Sequence, residues 1–283
     1  MQRSRAVPSL LLSFAIASSA TFAEPLRAQA SLAPTSPRGQ TVTPVYEGWY
    51  RNHDGTYSLS FGYYNRNTAE IVDVPIGPDN NISPGDPNQG QPATFHPRRH
   101  WGVFAVVVPA DFGTKKILWS LKVRGQSFSI PGSLNPDWQI DALEGEASST
   151  DTPPTLSFTD GGTEGQGPLG VTVGPLQVKV GAPLAITIFA KDDAKTLADA
   201  PNGKRVAIPV DVTWFKHRGP GVVTFSPATN RLTPTGGKGS TAATFSAPGD
   251  YVIRVRANDS PMTSAGHSQC CWTNGFVKVT VTP

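Results

Sequence analysis

From Phe245 to Pro283 apolar and polar positions alternate. Tyr251, Ile253, Val255 and Ala257 fall on one face of an extended segment, with Arg254 and Arg256 on the other. After a polar excursion, Val277, Val279 and Val281 alternate with Lys278 and Thr280. A period of two over this length predicts half-buried strands, here a closing hairpin. Gln177–Val180, Leu184–Ala190, Val210–Phe215 and Val222–Phe225 add further short apolar runs. Together they make about six or seven strands at short spacing, the pattern of a two-sheet sandwich. In the first half, Tyr57, Leu59, Phe61 and Tyr63 alternate with Ser58, Ser60 and Gly62 after the turn Asn52-His53-Asp54-Gly55. The nearly unbroken apolar run Gly102–Val108 predicts a central strand. Ile117–Arg124 puts Ile117, Trp119, Leu121 and Val123 on one face, and Gln126–Ile130 can pair back across Arg124-Gly125.

No long segment has helical spacing, and 28 Gly with 27 Pro in 283 residues favour turns and short strands. The expected class is all-β, with two β-sandwich-type domains. The expected boundaries are a signal peptide over 1–30, a flexible lead-in over 31–44 and an N-terminal β domain over 45–143. An acidic Pro/Gly-rich linker over 144–169 and a second domain over 170–283 complete the chain. The signal rests on Arg3 and Arg5, the apolar run Leu10–Ala20 and the small-x-small site Ala28-Gln29-Ala30. That run is too short to span a bilayer and no later segment is apolar enough, so a secreted, periplasmic or cell-surface protein without a membrane span is expected. The five prolines between Pro75 and Pro92 predict a long exposed loop without regular structure, of the kind that often carries function.

Charge changes this picture little. The formal charge of +3 falls to +1 once Arg3, Arg5, Arg27 and Glu24 leave with the signal. Residues 144–169 carry Glu144, Glu146, Asp151, Asp160 and Glu164 without a cation, whereas the second domain is basic. Its Lys and Arg lie singly across strands, with no basic run and no nucleic-acid motif. They read as a solvated surface, and no nucleic-acid partner is expected.

Val212-Thr213-Trp214, Gly219-Pro220-Gly221-Val222-Val223-Thr224-Phe225, Phe245-Ser246-Ala247-Pro248-Gly249-Asp250-Tyr251 and Arg256-Ala257-Asn258-Asp259 resemble the immunoglobulin-like modules of the PKD and related bacterial types. The resemblance implies an immunoglobulin-like C-terminal domain with Trp214 in its core and Tyr251 closing one end. It says nearly nothing of activity, because such modules serve as spacers, adhesins and carbohydrate-associated domains. In the first half, Gly62-Tyr63-Tyr64-Asn65-Arg66-Asn67, Pro75-Ile76-Gly77-Pro78-Asp79-Asn80-Asn81, Gly90-Gln91-Pro92, Pro97-Arg98-Arg99 and Val108-Pro109-Ala110-Asp111-Phe112-Gly113 resemble segments of uncharacterised secreted bacterial proteins.

Candidate chemistry is sparse. There is no Gly-x-Ser-x-Gly elbow, phosphate loop or zinc-protease motif, so no catalytic residue is assigned. Glu47, Glu70, Asp73 and Asp111 are acids that the order of the chain does not bring together. Asp79, Asn81 and Asp86 offer hard oxygens to calcium, the one cofactor considered, although turn-forming side chains explain the same composition. Asp192, Asp193 and Asp259 are a further candidate at the sandwich end. His96 and His100 have the spacing of helical metal ligands, but Pro97 argues against a helix. Trp49, Tyr50, Tyr64, Asn80, Asn81 and Trp272 are the candidate binding surface. Cys270 and Cys271 are the only cysteines; an exported chain favours a disulfide between them, acting as an apolar knuckle that presents Trp272. Two reduced thiols, or a soft-metal site with His267, are the alternatives. The chain thus reads as a secreted non-catalytic binding, adhesion or scaffold protein whose partner is an unknown extracellular protein or glycan. A glycan-binding accessory protein is the alternative, and an enzyme in the first domain the last choice.

Overall fold

The structure, a computed structural model, describes residues 36–144, 150–199, 203–259 and 269–283. The expected signal segment and His267 lie outside them. In the first half β1 (Val42–Arg51), β2 (Tyr57–Asn65), β3 (Val72–Asp73), β4 (Asn80–Ser83), β5 (Thr94–Phe95), β6 (Arg98–Val108), β7 (Ile117–Val123) and β8 (Gln126–Gly132) follow in order. β1-β2-β6 make one antiparallel sheet and β4-β7-β8 another. The alternating apolar positions read from sequence face each other across the gap: Leu59, Phe61 and Phe104 meet Ile117, Trp119 and Leu121, all at most 5% exposed. Phe61 stacks on Phe104, and Trp119 stands edge-on to both. The turn joining β7 to β8 is Arg124-Gly125, each at positive φ (52° and 77°), a conformation Gly adopts without cost.

The second half contains β9 (Thr155–Ser157), β10 (Val171–Lys179), β11 (Leu184–Lys191), β12 (Leu197–Asp199), β13 (Arg205–Ala207), β14 (Asp211–Arg218), β15 (Val223–Ser226), β16 (Thr229–Arg231), β17 (Gly236–Phe245), β18 (Gly249–Asn258) and β19 (Trp272–Thr282). A five-stranded sheet in the order β10-β19-β18-β14-β16 packs on a four-stranded sheet in the order β15-β17-β11-β9, an immunoglobulin-like sandwich. β12 and β13 form a separate ribbon, and β10 runs parallel to β19 from Val171–Gly275 to Lys179–Thr282. Trp214 is 3% exposed in the core, as the resemblance implies. Tyr251 closes one end: its hydroxyl donates to the Ala247 carbonyl (2.8 Å) and accepts from the Gly221 amide (2.9 Å). Among the described residues the only helix is a single 3₁₀ turn at Pro136–Trp138.

Four features depart from the sequence reading. The proline-rich stretch holds a strand, β4, because all five prolines fall outside Asn80–Ser83 and leave its amides free to pair with β7. The lead-in is tied down over 36–44: the Asn67 side chain bonds both the amide and the carbonyl of Gln40, and Val42 is fully buried in β1. Within the acidic stretch, β9 pairs with β11 and buries Leu156 completely. β17 (GGKGSTAATF) escaped detection because it is built from small residues. It is nonetheless an interior strand, lying between β11 and β15.

Candidate functional site

Two hydrophobic cores are thus present, and both belong to one compact unit, Thr35–Pro283. What joins them is polar. The face of β14, β18 and β19 that points away from the sandwich core carries Phe215, Arg254 and Asn274, and the first half covers it. Arg254 is 2% exposed, which corrects its reading as part of a solvated surface. Its guanidinium lies 4.5 Å from the Phe215 ring centroid and donates to Asn274 Oδ1 (3.1 Å). Asn274 Nδ2 donates in turn to the carbonyls of Gly102 (2.7 Å) and Pro168 (2.9 Å). One side chain therefore gathers three separate segments. Burial lowers the Arg254 pKa to about 9, so the group stays cationic at neutral pH.

The histidines line the same seam. His96 and His100 both pack edge-on to Phe215, with 6.1 Å between their own ring centroids. They sit in and beside strand β6, not on a helix, which removes the helical metal-ligand reading, and they are not surface loop residues. His96 Nε2 meets the Lys216 carbonyl at 3.0 Å, and His217 Nε2 meets the Gly90 carbonyl at 2.9 Å. Facing a carbonyl, each Nε2 must carry a proton, which fixes the neutral tautomer. Burial, reinforced by nearby cations, holds His96 down to about 4 and keeps His100 and His217 well below the usual imidazole value. The end of the proline-rich stretch completes the seam: Arg218 Nε donates to the Gln91 carbonyl and Nη1 to Asn88 Oδ1, each at 2.7 Å. Lys216 Nζ reaches Asp73 at 3.1 Å. A cleft of about 350 Å³ opens here, floored by Phe104, Val252 and Phe276 and flanked by Arg218 and Lys278. Further along, Arg99 bonds Glu47 at 2.7 Å; burial pushes Glu47 up to about 7 against the pull of that guanidinium.

A second polar cluster lies at the sandwich end, where the structure gathers Asp151, Asp192, Asp193 and Asp259. The Thr196 hydroxyl bonds Asp151 Oδ2 and lies 3.4 Å from Asp259 Oδ2. Asp193 Oδ1 accepts from the Lys195 amide and Oδ2 from the Thr152 hydroxyl, each at 3.1 Å. Cys270 and Cys271 are joined by a disulfide beside this cluster, and the Asp259 amide bonds the Cys271 carbonyl (3.3 Å). Bonded to each other, the sulfurs are not thiolates, so they do not serve as soft-metal ligands in this state.

Other sequence candidates are scattered. Trp272 is 1% exposed and packs on Gly102, so the cysteine pair does not present it to a partner. Tyr50 (3%) and Asn80 (0%) are likewise buried; Asn80 Nδ2 bonds the carbonyls of Val74 and Pro92, and its Oδ1 accepts from Trp119. These three cannot belong to an exposed surface. Trp49 and Tyr64 are half-buried at opposite ends of the β1–β2 ladder and make no flat strip. Asn81 spends its amide on the Gly77 and Pro78 carbonyls. Asp79 lies 4.0 Å from Lys122, and Asp86 closes a turn onto the Asn88 amide. Sequence reasoning missed the seam, whose one signal was a pair of arginines on the polar face of an otherwise apolar strand.

No family model matches this chain, and no curated protein does, so the likeness of the first half to uncharacterised secreted proteins gains no support. Among solved structures, the chain is similar to the D00-D0 domain of intimin at 16% identity and TM-score 0.25, covering 85% of this chain and 100% of that one. Domains 4 and 5 of the S-layer protein SbsC match at 12% identity and TM-score 0.25, covering 86% and 98%. The D0-D1 domain of intimin matches at 13% identity and TM-score 0.22, covering 85% and 97%. Superpositions this loose carry no argument, and the all-β, immunoglobulin-like assignment rests on the sheets themselves.

Proposed function

We propose that this chain is a secreted, non-catalytic binding or scaffold protein of the cell exterior, in which the immunoglobulin-like half holds the first half at a fixed attitude toward an extracellular protein or glycan. The supporting observation is the seam. A spacer that merely strings two sandwiches together leaves the outer face of β14-β18-β19 to solvent, whereas here Arg254, Asn274 and His217 are buried and bonded across it. Buried polar groups bonded across the seam favour one relative orientation over its neighbours, because any slip leaves donors and carbonyls unpaired. The test is ¹⁵N relaxation on the purified chain. One rotational correlation time common to both halves is expected; two independent times would overturn the rigid-scaffold reading. A pulldown against extracellular proteins and glycans, run beside a seam variant, then asks whether the fixed attitude matters for binding.

A further inference from the structure

The cleft at the margin of the seam is more than a joint between two halves. Strand register explains its floor. Arg218 of β14 pairs with Val252 of β18, which pairs in turn with Lys278 of β19; in the next row Thr172 of β10 pairs with Phe276 of β19. All five line the cleft and fall on the outer face of the five-stranded sheet, beside the part that the first half covers. The first half contributes Asn88, Gly90 and Phe104. No acid lines the cleft, whereas Arg218 and Lys278 both do. Arg218 spends Nε and Nη1 on the first half, but its Nη2 is buried with no hydrogen-bond partner. Lys278 is exposed and has no ion-pair partner among the described residues. Two cations without a carboxylate, one of them with an unmatched buried donor, favour an anion here.

We propose that this cleft binds a carboxylate-bearing sugar, a uronic acid residue of an extracellular glycan. The site rests on the scaffold reading, because the cleft exists only while the seam holds both halves together. β14, β18 and β19 are successive strands, so two strand spacings put the Arg218 and Lys278 backbones roughly 10 Å apart. That span admits a pyranose ring and lets its carboxylate meet either cation. The volume of about 350 Å³ lies toward the small end for ligand clefts and suits a short saccharide. Phe276 and Val252 offer an apolar floor to the C–H face of the ring. A sheet surface is shallow, which fits a flat ring better than a side chain that needs a hole. The Thr172 hydroxyl and the Asn88 amide are exposed among the lining residues and can bond sugar hydroxyls. A neutral glycan would leave both cations without a counter-charge.

The experiment is a titration of the purified chain with tetragalacturonate, followed by ¹H–¹⁵N NMR and calorimetry. The methyl-esterified tetramer and a tetrapeptide with a free C-terminal carboxylate serve as comparisons. Amide shifts at Thr172, Val252 and Lys278 are expected, with a Kd of about 1 mM or below that weakens as salt is raised. The neutral ester should bind about tenfold more weakly. Lys278→Glu, at an exposed position, should melt within about 2 °C of the wild type yet lose about tenfold in affinity. Lys278→Gln, which removes the charge without reversing it, should lose less. No shifts at these amides, equal binding of the ester, unchanged affinity in both variants, or tighter binding of the peptide would each overturn the assignment. A chain that tumbles as one body yet leaves the uronate unbound would sink the uronate site and leave the rigid scaffold standing.

Discussion

Arg254 and Asp259 lie a few residues apart, the first within β18 and the second just beyond its end. Both are almost wholly removed from water, yet their surroundings differ in kind. Around Arg254 the protein supplies an aromatic face and an amide oxygen, while His96 and His217 nearby meet backbone carbonyls of their own. Around Asp259 it supplies more carboxylates and leaves an oxygen unmatched. Burial of charge is thus not one phenomenon. Where the fold brings its own partners the polar groups fix geometry; where it gathers like charges, burial and repulsion favour the protonated acid.

The sharpest way to break this contrast is Asn274→Ala. It deprives Arg254 of its acceptor and the Gly102 and Pro168 carbonyls of their shared donor. A loss of about 3 kcal/mol in urea unfolding is expected, together with separate motion of the two halves in relaxation measurements. A smaller but cleaner separation comes from pH. His96 is held neutral down to about 4, whereas the unfolded chain takes up that proton near the ordinary imidazole value. Its contribution is therefore complete above pH 6.5 and is lost as pH falls toward 4. The charges facing it do not reverse the sign: Arg254, Lys216 and His100 oppose its protonation, and the pull of the Asp73 carboxylate is weaker than theirs. Between pH 7.5 and 5 His96 should account for about 2 kcal/mol of the fall in unfolding free energy, a share that His96→Gln removes while His100 and His217, held low as well, keep theirs.

The sandwich end moves the other way. Asp192 and Asp259 are raised, so they bind protons more readily folded than unfolded. Their contribution is present at low pH and lost as pH rises through their folded values. Asp259→Asn should flatten that alkaline loss, seen as urea midpoints that fall less with pH than those of the wild type. The smallest effects belong to the proline-rich stretch. Asp79→Ala and Asp86→Ala remove exposed turn acids and should change stability by less than about 0.5 kcal/mol, read from urea midpoints.

How far these regions could be read in the sequence follows from the same physics. Period-two alternation located β2, β7, β18 and β19, since each presents an apolar face to a core formed within its own half. It was silent on β17, whose Gly and Ala residues pair on both edges without adding bulk, and on β4, hidden between prolines. Polar alternation is also ambiguous about what covers it. Arg254 looks the same whether water or another part of the chain lies opposite, so the seam could not be seen. Asp192, Asp193 and Asp259 could be guessed at because strand ends collect at the ends of a sandwich. Asp151 could not, because the strand that anchors it, β9, lay in a stretch of linker composition.

The parallel pairing of β10 with β19 bears on how the protein meets mechanical load. A pull applied at the C-terminal end of β19 against the start of β10 acts along both strands, not across the ladder. The pairs from Val171–Gly275 to Lys179–Thr282 are then sheared together instead of unzipping one by one. β18 grips the other edge of β19 over Gly249–Asn258, so the loaded strand is held on both sides. Resistance to tension along this line would be set by how slowly that doubly clamped strand gives way, a rate that equilibrium stability alone does not report.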